Sequence, residues 1–430
     1  MSLLTSLTSG TSGLSSASSE LAVIGDNIAN ANTVGFKSER AAFEDQLAQS
    51  VVGGSGQIGL GSHLQAVTKT MTQGSLTTTG VATDLALQGD GFFEVAGTAG
   101  DGRTGTYLTR AGQFTVSAEG YLVNQAGLRV QGYGADTVGN LTGALGDLQV
   151  GNATSQPFAT AGVTVRANLD ASVTAVAFDP NDPSGTSNFS TSTTVYDSLG
   201  ASHQVQIYYS RTAAGWDWNA MTDGGGVAGG TAGTPVRIAT GNVTFDAQGR
   251  LTSFNDTSGA AGVAFNPLNA TNPQPLAFNF GTPSPGGTGL DGITQFAGSS
   301  VSTFVGQDGF ASGQLSAIQI DRTGTIQGVF SNGETRALGQ VAVAKVPAPE
   351  QLERMGGNLY AQTRDSGEPV LGSAGQGGRG YMSSGALEQS NVDIAEQFVR
   401  MIAAQRAFQA NSKTITTSDQ LLAELIQLKR

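Results

Sequence analysis

Few residues in this chain are of the types that carry chemistry, and their spacing argues against reactive sites. His63 and His203 are the only histidines, and neither has a second ligand at zinc-binding spacing. Cysteine is absent, which removes thiolate metal sites, disulfides and cysteine nucleophiles. The carboxylates of Asp179-Pro-Asn-Asp-Pro183 lack the alternating ligands and the glycine of an EF-hand, so they read as a solvated turn. Trp216 and Trp218 share one face of a predicted strand, where an aromatic core is the better reading than a sugar platform. Gly54-Ser-Gly-Gln-Ile-Gly59 matches G-x-G-x-x-G, but no apolar strand leads in and no helical pattern leads out. There is no nucleophile elbow and no Walker A loop. No catalytic residue, cofactor or metal is expected.

Composition narrows the class. The chain has 430 residues, 62 of them glycine, and only 13% are charged, which suits short strands and tight turns. A net charge of −12 opposes nucleic-acid binding, which needs a positive field to displace counterions. No uninterrupted run of 18 apolar residues occurs, so membrane insertion by a helix is not expected, and Met1 to Leu7 has no signal-peptide pattern.

Two helices frame the chain. Ile394, Met401, Phe408, Ile415 and Leu422 recur every seven residues, and an offset row runs from Phe398 through Gln405, Ser412 and Asp419 to Ile426. Asn391 is the expected N-cap of a helix roughly 55–60 Å long. Leu7, Leu14, Leu21 and Ile28 repeat the pattern at the N-terminus, with Leu3, Gly10, Ala17, Ile24 and Ala31 beside them. Two readings stay open: a pair of terminal helices packed on a globular core, or contributions to a many-chain bundle in which this seam is a subunit contact. Because Thr8 to Ser19 is almost wholly Ser, Thr and Gly, it is expected to order only when neighbours cover it. The row Gln405, Ser412, Asp419 is expected to face a wet lumen or a neighbour's polar groups.

Between the helices the pattern is mainly β. Residues 45–80 read as an irregular connector with one strand near His63–Met71. From Asp84 alternating runs begin, and one hairpin signature occurs three times, at Phe114–Leu122, Val243–Leu251 and Ile318–Ile326. Residues 151–300 hold no Lys, four Arg and nine Asp (4 − 9 = −5) and both Trp, and read as a sandwich or barrel domain nested in another. The expected division is terminal helices at 1–32 and 385–430, a connector at 33–83 and 373–384, an inner β domain at 84–150 and 301–372, and an inserted β domain at 151–300.

Several segments resemble one family. Asn27-Ile-Ala-Asn-Ala-Asn-Thr-Val-Gly-Phe-Lys37, containing Asn30, Asn32, Gly35 and Phe36, is similar to the N-terminal signature of bacterial flagellar rod, hook and hook-associated axial proteins. Gly385-Ala-Leu-Glu-Gln-Ser-Asn-Val-Asp393, with Asn391, and Ala404-Gln-Arg-Ala-Phe-Gln-Ala-Asn411, with Gln405 and Arg406, resemble its other end. Asp84–Phe93, Tyr107–Val116 and Ser192–His203 resemble internal motifs, the last one of the hook type. The resemblance implies a non-enzymatic hook subunit that polymerises with itself into a curved, flexible tube carrying torque from rod to filament. It further implies export through the flagellar type III apparatus to the cell exterior, without a cleaved signal peptide. The implied partners are the distal rod protein, the hook cap and the hook–filament junction protein. A distal-rod or hook-associated axial protein is the alternative, and a β-rich surface adhesin a distant one.

Overall fold

Heptad spacing at both ends yields two helices, α1 (Leu3–Ala29) and α2 (Ile394–Gln427), in a computed structural model that describes residues 3–47, 59–259 and 261–427. They pack antiparallel: Ser6 meets Ser418, and Asn27 donates to Gln397. Glycine in a helix costs about 1 kcal/mol relative to alanine, yet here it permits close approach. A Cβ on Gly10 would lie 3.1 Å from Ile415, and one on Gly13 2.7 Å from Asn411. The poorly helical Thr8–Ser19 segment is therefore helical under cover from its own chain, which corrects the expectation that it orders only beneath neighbours.

Part of the expected connector is also ordered. Glu39–Leu47 and Gly59–Lys69 form an antiparallel pair beside α1. Ser16 donates to the Ser62 carbonyl, and a Cβ on Gly61 would strike Ser12. This contact is made by serine and glycine, so hydrophobic alternation does not reveal it.

The chain divides into two compact units, one of residues 1–153, 316–329 and 335–430, the other of 154–315 and 330–334. The fold is mainly β with discontinuous β domains. In the first unit, Phe92–Thr98 is central, hydrogen-bonded to Thr104–Thr109, Arg129–Ala135 and Val343–Lys345. Alternation along this strand serves two cores. Phe93 and Val95 join Leu85, Phe114, Ile326 and Val341, while Phe92 joins Leu108, Val346 and Tyr360.

In the second unit a five-stranded antiparallel sheet runs in sequence order from Phe189–Tyr196 to Leu251–Asp256. A three-stranded sheet centred on Gly162–Asn168 shares its core. Trp216 and Trp218 are 1% and 0% exposed, and Trp218 packs on Phe278 and Phe280. They are core residues, as their alternation implies.

The three repeated signatures all close hairpins, and the same chemistry recurs elsewhere. Asn124, Asp136, Asp197, Asp246 and Asp321 each accept backbone N–H bonds from residues two and four further on. Each is followed at the third position by a glycine with φ between 75° and 98°. The Asp or Asn thus satisfies the turn backbone while glycine takes the left-handed conformation.

Candidate functional site at the root of the terminal helices

Where α1 ends, the chain enters a tight turn. Asn30 Nδ2 donates to the Asp26 carbonyl at 2.9 Å, and Thr33 donates to Asn30 Oδ1. Gly35 then adopts φ 71°, and a Cβ there would lie 2.5 Å from the Ala111 nitrogen. Its N–H donates to the Glu388 carbonyl at 2.8 Å, which ties the turn to the approach to α2. Phe36 is buried beneath the Arg354 guanidinium, which in turn bonds Asp26 at 2.6 Å.

Beneath this turn lies a buried ionic cluster. Glu388 is fully enclosed; its Oε1 accepts from Lys37 Nζ at 2.6 Å and from the Gly74 N–H at 2.9 Å, and its Oε2 from Arg110 at 3.2 Å. Lys37 also donates to the Thr72 carbonyl, and Arg110 to that of Gly89. Burial drives the Lys37 ammonium below its ordinary pKa and Arg110 adds to the shift, while attraction to Glu388 opposes it. One carboxylate therefore joins the N-terminal signature, the Tyr107–Val116 motif and the C-terminal signature.

Two asparagines complete the joint. Asn27, 1% exposed, exchanges both side-chain groups with the Glu39 backbone, donating at 2.7 Å and accepting at 2.8 Å. Asn391 accepts from the Ser38 N–H at 2.7 Å and donates to the Thr70 and Thr72 carbonyls. It is not the N-cap of α2, as the sequence led us to expect. That role falls to Asp393, whose carboxylate accepts the N–H groups of Ala395 and Glu396. Asn32 is exposed beyond the turn.

The helix seam has a different second row from the expected one. Met401, Phe408, Ile415 and Leu422 are half-buried, as are Leu7, Leu14, Leu21 and Ile28, and Ile24 is buried. On α2 they alternate with Gln397, Ala404, Asn411 and Ser418, not with Phe398, Gln405, Ser412 and Asp419. A 3-4 repeat admits either neighbouring row, and α1 takes the one with small residues, because its glycines bring the axes close. Gln405, Arg406 and Asp419 are exposed and Ser412 half-buried. Ile394 and Phe398 are 45% and 49% exposed. The Ile426 side chain and residues 54–58 of the Gly54–Gly59 motif lie outside the described residues.

Sequence reasoning left Lys37, Arg110, Glu388, Asp393 and Gln397 off the site. A signal was available: Lys37 and Arg110 are the lone charges of their motifs, and Glu388 shares its motif only with Asp393, in a chain poor in charge. Nothing here resembles a catalytic constellation. His63 pairs with Glu44 on an exposed hairpin, and His203 with buried Asp197 in a turn. Among the described residues no group of three or more His, Asp or Glu is placed to hold a metal.

A helical root that ties α1 and α2 to a β core is a structural joint, and comparison with known proteins gives its class. Family models match in chain order: Flagella basal body rod protein at 7–37, Flagellar hook protein FlgE/F/G D1 domain at 86–175, Flagellar basal body protein FlaE D2 domain at 168–310, and Flagellar basal body rod FlgEFG protein C-terminal at 383–428. The flagellar hook protein FlgE of Treponema pallidum is 36% identical over the full length of both chains. Those of Borreliella burgdorferi, with 99% of this chain and 100% of the relative covered, and Escherichia coli, with 96% and 97%, are 35% and 32% identical. The chain belongs to the flagellar hook protein family.

Proposed function

We propose that this chain is the structural subunit of the flagellar hook, polymerising with copies of itself into a curved, flexible tube that passes torque from rod to filament. The observation that carries this reading is the end-to-end match to hook proteins, with rod-type sequence at both ends and a hook-type domain between them. Residues 1–32 and 385–430 form the inner tube, 33–83 with 373–384 connect, 84–150 with 301–372 form the inner β domain less residues 301–315 and 330–334, which the structure packs with the second unit, and 151–300 form the outer surface. The subunit works outside the cell, is exported through the flagellar type III apparatus without a cleaved signal peptide, and performs no catalysis. It joins the distal rod protein below, the hook cap during growth and the junction protein above. The motif residues act in assembly by fixing the angle at which both helices leave the β core, and the terminal seam acts by holding the two helices of one chain together.

The test is replacement. Electron micrographs of the source bacterium lacking this gene should show basal bodies without hooks, and the full chain supplied in trans should restore curved tubes. Normal hooks in the deletion strain overturn the reading.

A further inference from the structure

The seam that a polymer was expected to use is taken within the chain, since Met401, Phe408, Ile415 and Leu422 turn toward α1. A different face of α2 is left open. Ile394, Phe398 and Ile402 follow one another at intervals of four, with Val399 beside them, and they are 45%, 49%, 52% and 68% exposed in that order. Residues four apart on a helix lie on one stripe, so these four side chains make one apolar face directed away from α1.

The outward face of α1 has the opposite relief. Thr11, Ser15, Ser18, Ala22, Gly25 and Ala29 are all exposed, alternate by four and three, and include no large side chain. A Cβ on Gly25 would meet nothing within 4 Å. One helix thus offers large apolar knobs, and the other a shallow track of matching period.

We propose that the Ile394–Ile402 face of α2 in one subunit seats on the Thr11–Ala29 track of α1 in a second copy. The pairing rests on the assembly reading above and names its contact. Charge supports the choice of occupant. Residues 394–413 of α2 carry Arg400, Arg406 and Lys413 against Glu396 (3 − 1 = +2), whereas α1 carries no base and offers Glu20, its other acid Asp26 being paired with Arg354 of the same chain. Arg406, one turn past Ile402 and exposed, has no acidic partner among the described residues. Topology supports it too, because two different faces of one chain make a head-to-tail contact that every added copy regenerates, as an open helical polymer requires.

The chain has no cysteine, so introduced thiols report alone. Full-length Val399→Cys is combined in turn with Ser15→Cys, Ala22→Cys and Ala29→Cys, assembled into tubes, oxidised mildly and run on denaturing gels. We expect a ladder of covalent multimers from at least one pair and only monomer from each single variant. Intact tubes that give no ladder overturn the helix pairing and leave the assembly reading standing. Dimers from Val399→Cys alone, or a ladder only when it is combined with Phe43→Cys, place another surface on the stripe and also overturn it. Failure of the unmodified chain to form tubes takes both down. As a second measurement, Ala22→Trp fills the track while pointing away from its own fold. Its monomer should melt as the parent does while tube yield falls about ten-fold or more, and normal growth would count against the proposal.

Discussion

Glu388 accepts a hydrogen bond from Lys37 at 2.6 Å across 351 residues of sequence, and neither side chain is more than 1% exposed. Removing one member of a buried ion pair leaves its partner charged and unsolvated. Glu388→Gln, which strands Lys37 and Arg110 together, should cost about 3–5 kcal/mol in urea unfolding of the full chain. Glu388→Gln/Lys37→Met should recover part of that loss. Single and double variants of equal stability would show that the cluster does not act as a unit.

Gly35→Ala should be more damaging than most surface substitutions. The added methyl meets the Arg110–Ala111 backbone at 2.5–2.6 Å, and φ 71° disfavours any Cβ. We expect a loss of about 3 kcal/mol or more by thermal melting, against about 1–2 kcal/mol for Gly127→Ala, where no atom lies within 4 Å and the φ of 81° acts alone. The difference between the two isolates the clash from the dihedral cost.

Asp197 gives the chain an acid-sensitive turn. Burial alone would raise its carboxyl pKa, but the hydrogen bonds from His203, Ala201 and Leu199 hold it below the usual range. A depressed carboxylate contributes stability above its unfolded value near 3.8, and that stability is lost as pH falls through the lower folded value. Asp197→Asn should cost about 1–2 kcal/mol at pH 7 and flatten the acid limb of a stability–pH curve. A parallel, unflattened curve would refute the assignment.

Glu94 works in the other direction. Burial raises its pKa, and its Oε2 has no hydrogen-bond partner. A raised carboxyl favours the protonated fold, so stability is greatest below the unfolded value and declines as pH climbs from there through the folded value. Glu94→Gln should match the parent at pH 4 and exceed it by about 1 kcal/mol at pH 7. Equal melting at both pH values would rule this out.

Capping separates Asp393 from Asn391. Asp393→Ala should lower stability by about 0.5–2 kcal/mol through the first turn of α2. Asn391→Ala should leave helix content unchanged by circular dichroism and loosen the 38–72 segment, seen as faster amide exchange at Ser38. Loss of helix content in Asn391→Ala would return the cap to it.

Much of this architecture was legible because periodicity records burial. The seven-residue rows located both helices, alternation placed Trp216 and Trp218 in a core, and the repeated hairpin signature marked three of the turns. What was missed depends on contacts that leave no period. The Glu39–Lys69 hairpin packs through Ser16, Ser62 and Gly61, and the choice between the Gln405 and Ala404 rows follows from the closeness that Gly10 and Gly13 permit. The ionic cluster is assembled from positions 37, 110 and 388, and only the folded chain brings them together.

The antiparallel contact of Ser6 with Ser418 spans 412 residues and gives the molecule a built-in check on completeness. A chain that stops short of residue 388 leaves Lys37 and Arg110 without their shared counter-charge and uncovers the side of α1 that faces α2, with only the Glu39–Lys69 strands still packed against it. Such a fragment has no stable root from which to enter a growing tube. Loss of the last helix should therefore be felt first as instability of α1 and of the cluster beneath it.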